Sequence, residues 1–230
     1  SAVGGGSATL SASVVAPGRL HTCALTTTGA VYCWGAAELG QLGTGAPLNT
    51  TIYPTPVAVP SITSGATALS SFVDTTCAIV SGGVRCWGDN SWGQLGNGVT
   101  TGIPGAPPSN VPVNVTGIST GATAVSAGAL HACAIVANGA VRCWGKGDVG
   151  QLGNGSTSQS TTPAAVSLIS VSEIATGSAH TCARISDGTA RCWGWNDYGQ
   201  LGNGTEAQSL APSVVIDLPK LIYSDGFELR

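Results

Sequence analysis

The sequence predicts an all-β chain built from four repeats of four short antiparallel strands. Three observations carry this: Cys-Trp-Gly recurs four times, every candidate strand is short and bounded by turn residues, and no segment holds a 3.6-residue apolar period for three turns. The tryptophans Trp34, Trp87, Trp144 and Trp193 recur about every fifty residues, one small sheet apart.

Aligned on Cys-Trp-Gly, the copies read HTCALTTTGAVYCWGAAELGQLGTG from His21, TTCAIVSGGVRCWGDNSWGQLGNG from Thr75, HACAIVANGAVRCWGKGDVGQLGNG from His131 and HTCARISDGTARCWGWNDYGQLGNG from His180. Each copy opens on an apolar stretch of small residues, such as Ala124 to Ala127. His-x-Cys-Ala-Ile and Val-x-Cys-Trp-Gly follow, and then a stretch with Pro and Val, such as Pro163 to Val166. The expected divisions are a leader at 1–7, repeats at 8–59, 60–117, 118–170 and 171–219, and a tail at 220–230. Ala8 to Val15 reads as the first strand. Ala46 to Pro56, Val99 to Val111 and Ser156 to Pro163 read as variable surface loops.

The eight cysteines fall in pairs, Cys23/Cys33, Cys77/Cys86, Cys133/Cys143 and Cys182/Cys192, each straddling a turn signal with Gly29, Gly82, Gly139 or Gly188. Residues equidistant from a hairpin turn face each other at a separation a disulfide accepts. A spacing of ten suits an odd-numbered loop; the spacing of nine in the second copy suits an even one. Four cross-strand disulfides are therefore predicted, and with them an oxidising, extracellular or periplasmic compartment. Free buried thiols and a metal site are the weaker readings, since zinc knuckles bring two cysteines together within two to four residues.

Composition narrows the function. Charged residues make up 8% of the chain, where about 25% is usual, and the formal charge is −3 with no basic cluster, so a phosphate backbone finds little to bind. No apolar run approaches a membrane span. The chain starts at Ser1 without Met, which fits a processed mature chain or a trimmed one.

The runs Val125 to Ile135 and Ile174 to Ala183, each followed by Cys-Trp-Gly and Gly-Gln-Leu-Gly-Asn-Gly, resemble the repeat of the regulator of chromosome condensation family. The resemblance covers roughly residues 8 to 219 and implies β-propeller blades of four antiparallel strands. Propellers of that family have about seven blades and serve as nucleotide-exchange factors, secreted inhibitors or binding modules. Exchange activity and histone binding are not expected of this acidic, cysteine-paired chain. Four repeats leave three arrangements: a closed four-bladed ring, two chains completing a larger ring, or blades docking on neighbouring chains into a fibre.

His21, His131 and His180 share one slot, occupied by Thr75 in the second repeat, and each is expected to bond a backbone group near a blade interface. A shared slot in successive blades holds the imidazoles too far apart for a metal. Trp92, Trp195 and Tyr198 interrupt the repeat and are candidate anchors for a protein or carbohydrate, with ordinary packing between blades as the stronger reading. The four Gly-Gln-Leu-Gly segments precede no helix and are not phosphate loops. Asp89, Asp148 and Asp197 are too sparse for calcium. Asn49, Asn114, Asn154 and Asn203 stand in Asn-x-Ser/Thr sequons expected in surface loops. No elbow serine, paired carboxylates or spare thiol supports catalysis, so no catalytic residue, metal or cofactor is assigned.

The expected function is a non-catalytic, secreted structural protein that assembles with copies of itself, as in a filament or surface appendage. The alternative is a monomeric extracellular binding module using Trp92, Trp195 and Tyr198. Both chain ends, including the apolar run Leu221 to Tyr223, read as segments able either to extend another subunit's sheet or to close their own ring.

Overall fold

The computed structural model describes residues 9–99 and 107–216. The leader and the tail singled out in the sequence lie outside them.

Four sheets form, each from four consecutive strands paired in sequence order. Blade 1 holds β1 (Ala12–Pro17), β2 (His21–Thr26), β3 (Val31–Ala36) and β4 (Ile52–Ala58). Blade 2 holds β5 (Ala66–Phe72), β6 (Thr75–Val80), β7 (Gly83–Gly88) and β8 (Ser109–Asn114). Blade 3 holds β9 (Ala124–Ala127), β10 (His131–Val136), β11 (Ala140–Gly145) and β12 (Ser160–Val166). Blade 4 holds β13 (Val171–Thr176), β14 (His180–Ile185), β15 (Ala190–Gly194) and β16 (Ser209–Val214). The first strands line up side by side, β1 beside β5, β5 beside β9 and β9 beside β13, so the blades stand in chain order along an arc.

The paired cysteines do what their spacing predicts. Cys23 faces Cys33, Cys77 faces Cys86, Cys133 faces Cys143 and Cys182 faces Cys192, with Cα atoms 4.0 to 4.1 Å apart and a disulfide across each pair. Parity holds too. In blade 2, Val80 pairs with Gly83 around Ser81 and Gly82, both at positive φ, as a two-residue hairpin turn requires. In blade 3, Val136 pairs with Ala140 around the three residues Ala137–Gly139, which make one turn of 3-10 helix where the sequence offered only a turn.

Cys-Trp-Gly marks a bulge. In every blade the register between third and fourth strands shifts across this tripeptide, and its glycine (Gly35, Gly88, Gly145 or Gly194) takes φ between 101° and 109°.

The structure corrects three expectations. The first strand is Ala12–Pro17, not Ala8 to Val15, because pairing of Ala16 with Cys23 fixes its register. The supposed loops ending at Pro56, Val111 and Pro163 run into β4, β8 and β12, and Asn114 closes β8. Each fourth strand carries Pro, tolerated because it lies at a sheet edge, where it also discourages stray pairing.

Three apolar cores lie between blades. One joins Leu25, Val31 and the first disulfide to Leu69, Ala78, Val80 and Trp87; the second and third repeat this between blades 2 and 3 and between blades 3 and 4. A blade thus has a forward face carrying its disulfide and a rear face carrying its tryptophan.

Candidate functional site: the faces between blades

Alternation along the second strand of each blade sends Cys forward and its neighbours rearward. The rear residue before Cys is Thr22, Thr76, Ala132 or Thr181, and the residue before that is His21, Thr75, His131 or His180. His21 Nε2 lies 2.8 Å from Thr76 Oγ1 of the next blade, and His131 Nε2 lies 2.9 Å from Thr181 Oγ1. His21 and His131 therefore bond a side-chain hydroxyl across the joint, not the backbone group expected. Between blades 2 and 3 both members change: Thr75 donates to the Asp89 carbonyl of its own blade, and Ala132 offers no hydroxyl.

Burial keeps these imidazoles neutral. It holds His21 down at about 4 and, with the nearby His180 adding to it, His131 at about 3. Each ring folds over a glycine three residues earlier, Gly18 or Gly128, where a Cβ would strike it.

A second bond crosses every joint. The indole N–H of Trp87 donates to the main-chain carbonyl of Gln41 at 3.0 Å, that of Trp144 to Gln94 at 2.8 Å and that of Trp193 to Gln151 at 3.0 Å. All three indoles are fully buried against Gly43, Gly96 and Gly153, glycines at positive φ with no room for a Cβ. The glutamine side chain holds its own turn, Oε1 of Gln41 accepting from Leu39 N–H at 2.9 Å and that of Gln94 from Trp92 N–H at 2.8 Å. Gly-Gln-Leu-Gly is thus a socket for the next blade's tryptophan. A third bond runs from Gly45, Gly98 and Gly155 N–H to the carbonyls of Asn110, Thr161 and Leu210.

The arc's two end faces carry the same groups without those bonds. His180 and Gln200 on blade 4, and Thr22 and Trp34 on blade 1, are half-buried where their counterparts are buried. Among the described residues none of these four side chains reaches across to another blade, and no hydrogen bond joins blade 4 to blade 1.

The three aromatic candidates fall in two places. Lys146 Nζ sits 4.7 Å from the centre of the Trp92 ring, and Trp195 meets Tyr198 edge-on at 5.3 Å. A hollow of about 420 Å³ lies elsewhere, at the hairpin ends of blades 3 and 4. Trp195 instead borders a smaller one of about 290 Å³ with Lys146, Asp148 and Ser178. Tyr198 is 83% exposed, whereas Leu39, Trp92 and Val149 in its slot are half-buried by the blade that follows. Asp89 is engaged by Ser91 and Gln94, and Asp148 by Lys146 and Gln151. Among the described residues no group of three or more His, Cys, Asp or Glu converges as a metal site would require.

Two models described as the regulator of chromosome condensation (RCC1) repeat match the chain, one at residues 28–78, 81–135, 138–184 and 187–224, the other at 12–41, 122–151 and 171–200. The chain belongs to the RCC1 repeat family. RCC1-repeat relatives include the human E3 ubiquitin-protein ligase HERC2, 33% identical over 66% of this chain and 3% of its own length. Another is the mitochondrial RCC1 domain-containing protein RUG3 of Arabidopsis thaliana, 31% identical over 70% of this chain and 36% of its own. The chain thus spans a small part of the curated relatives it matches. Human WBSCR16 superposes with a TM-score of 0.77 at 24% identity over 90% of this chain and 53% of its own. Prp20p of Saccharomyces cerevisiae gives 0.77 at 20% identity over 93% and 52%. The RCC1-propeller fold is therefore common to all three. Four disulfides, one per blade, fit an oxidising environment.

Proposed function

We propose that this RCC1-repeat chain is a non-catalytic, secreted structural protein that assembles with copies of itself through the end faces of its blade arc, as a subunit of an extracellular filament or surface appendage. One observation carries the reading: the two end faces repeat the groups that bond blade to blade inside the chain, and among the described residues those groups have no cross-blade partner. Hydrogen-bonding groups and apolar surface left over from a repeated joint favour a copy of that joint. The disulfides suit a protein working outside the reducing cytosol.

The test is sedimentation of the full chain, purified under oxidising conditions, across a hundredfold concentration range, with electron microscopy of the most concentrated sample. Particle mass is expected to rise with concentration and end-to-end particles to appear. A single monomer mass throughout overturns the reading.

A second reading, an extracellular binding module for a protein or carbohydrate, is favoured by bare Tyr198 against Trp195 beside a hollow with Lys146 and Asp148. Alanine at Trp92, Trp195 and Tyr198 would abolish capture of a glycan or protein ligand if that surface binds one.

A further inference from the structure

We infer that assembly is head-to-tail and of one polarity: the forward face of blade 4 in one copy receives the rear face of blade 1 in a second copy, in the blade-to-blade geometry repeated three times inside the chain. This rests on the self-assembly reading above and specifies its interface.

The argument lies in how slots match across joints. Where a blade offers His forward, the next offers Thr: His21 to Thr76 and His131 to Thr181. Where it offers Thr75, the next offers Ala132. Blade 4 offers His180, and the only rear face left among the described blades, that of blade 1, offers Thr22.

The slot two residues after the first cysteine behaves the same way. Forward Leu25, Ile79 and Ile135 share their cores with rear Val80, Val136 and Ile185 of the following blade. Blade 4 carries Arg184 forward in that slot, ion-paired with Glu173 at 2.6 Å, and blade 1 carries Thr26 at the rear. Apolar faces apolar at three joints, and polar would face polar at the fourth. An Arg184 against a rear valine would bury a charge against hydrocarbon; Thr26, whose Oγ1 already accepts from Ala30 N–H, is the more polar neighbour.

The sockets are vacant in the same sense. A Cβ on Gly40, Gly93 or Gly150 would collide with the next blade's fourth strand, whereas one on Gly199 meets nothing within 4 Å among the described residues. Gly43, Gly96 and Gly153 are each covered by an indole; Gly202, their counterpart, has only Val215 of its own blade nearby among the described residues. Trp34 is the indole of the right slot, its N–H aimed in the new joint at the Gln200 carbonyl. Gly204 N–H would take the carbonyl of Pro54, as Gly45 takes that of Asn110. Closure after two copies gives a ring; a rotation that misses closure gives a fibre with the same contact.

Two substitutions on exposed positions block one face each. Val15, 59% exposed beside Ala24 on the rear of blade 1, becomes Val15→Arg. Ala175, exposed beside Cys182 on the front of blade 4, becomes Ala175→Arg. In sedimentation of the full-length oxidised chain, wild type is expected to assemble, each variant alone to stay monomeric, and their equimolar mixture to stop at a one-to-one dimer. That last result requires one free front and one free rear. Trp34→Phe, which keeps the ring and loses the N–H, is expected to weaken association roughly tenfold. Assembly surviving in either blocked variant overturns the polarity proposed here and leaves self-assembly standing. Wild type monomeric at every concentration removes both.

Discussion

Trp144 and His131 show how much of each joint hangs on single polar atoms. The Trp144 indole is fully buried and its N–H has one acceptor, the Gln94 carbonyl at 2.8 Å. Trp144→Phe is expected to cost about 1 to 3 kcal/mol, since it strands a buried carbonyl, and urea unfolding monitored by circular dichroism would measure it. The histidines give a pH dependence of definite sign. Free His titrates near 6.5, His21 at about 4 and His131 at about 3, so between these values the unfolded chain takes up protons that the folded chain refuses. Stability is full above about pH 6.5 and falls as pH drops toward 4, by about 3 kcal/mol for each histidine. Urea midpoints from pH 7 to 4 are expected to fall accordingly, and the slope to flatten in the double variant His21→Gln, His131→Gln. The sequence exposed the shared His slot but not its partner. The signal was the Thr, Ala, Thr succession one blade later, visible only when neighbouring repeats are compared at offset positions.

Hairpins and disulfides were legible because parity and facing positions are local geometry. A spacing of nine or ten around a glycine leaves little freedom, and Cys77–Cys86 and Cys133–Cys143 sit where that geometry puts them. The first and fourth strands were harder. Their limits depend on pairing partners distant in sequence, as Ala16 depends on Cys23, and prolines at 56 and 163 disguise edge strands as loops. The four disulfides are chemically alike but differ in cover. Cys23, Cys77 and Cys133 are sealed by a following blade, while Cys182 on the end face is half-buried. Limited reductant followed by alkylation and mass mapping is expected to label Cys182 and Cys192 first, because exchange needs access for the attacking thiolate. Uniform labelling of all eight would show that end-face exposure does not govern reduction.

The four-blade repetition was legible in the motif spacing and is matched by the RCC1 family model, whereas the sequence left ring closure and open assembly both standing. That the faces of blades 4 and 1 have no cross-blade partner among the described residues could not be read from any single repeat. Trp92, Trp195 and Tyr198 were visible as interruptions, but their environments were not. Lys146 over Trp92 joins neighbouring blades, and the exposure of Tyr198 reflects the lack of a covering blade among the described residues.

Because every sheet is made of consecutive strands, no blade lends a strand to another among the described residues. Under tension such a chain would give way one sheet at a time, like links parting in series. Each covalent loop would withhold nine or ten residues, about 30 to 35 Å of slack, from the link that opens. A string of these subunits would therefore lengthen blade by blade before any sulfur bond had to break.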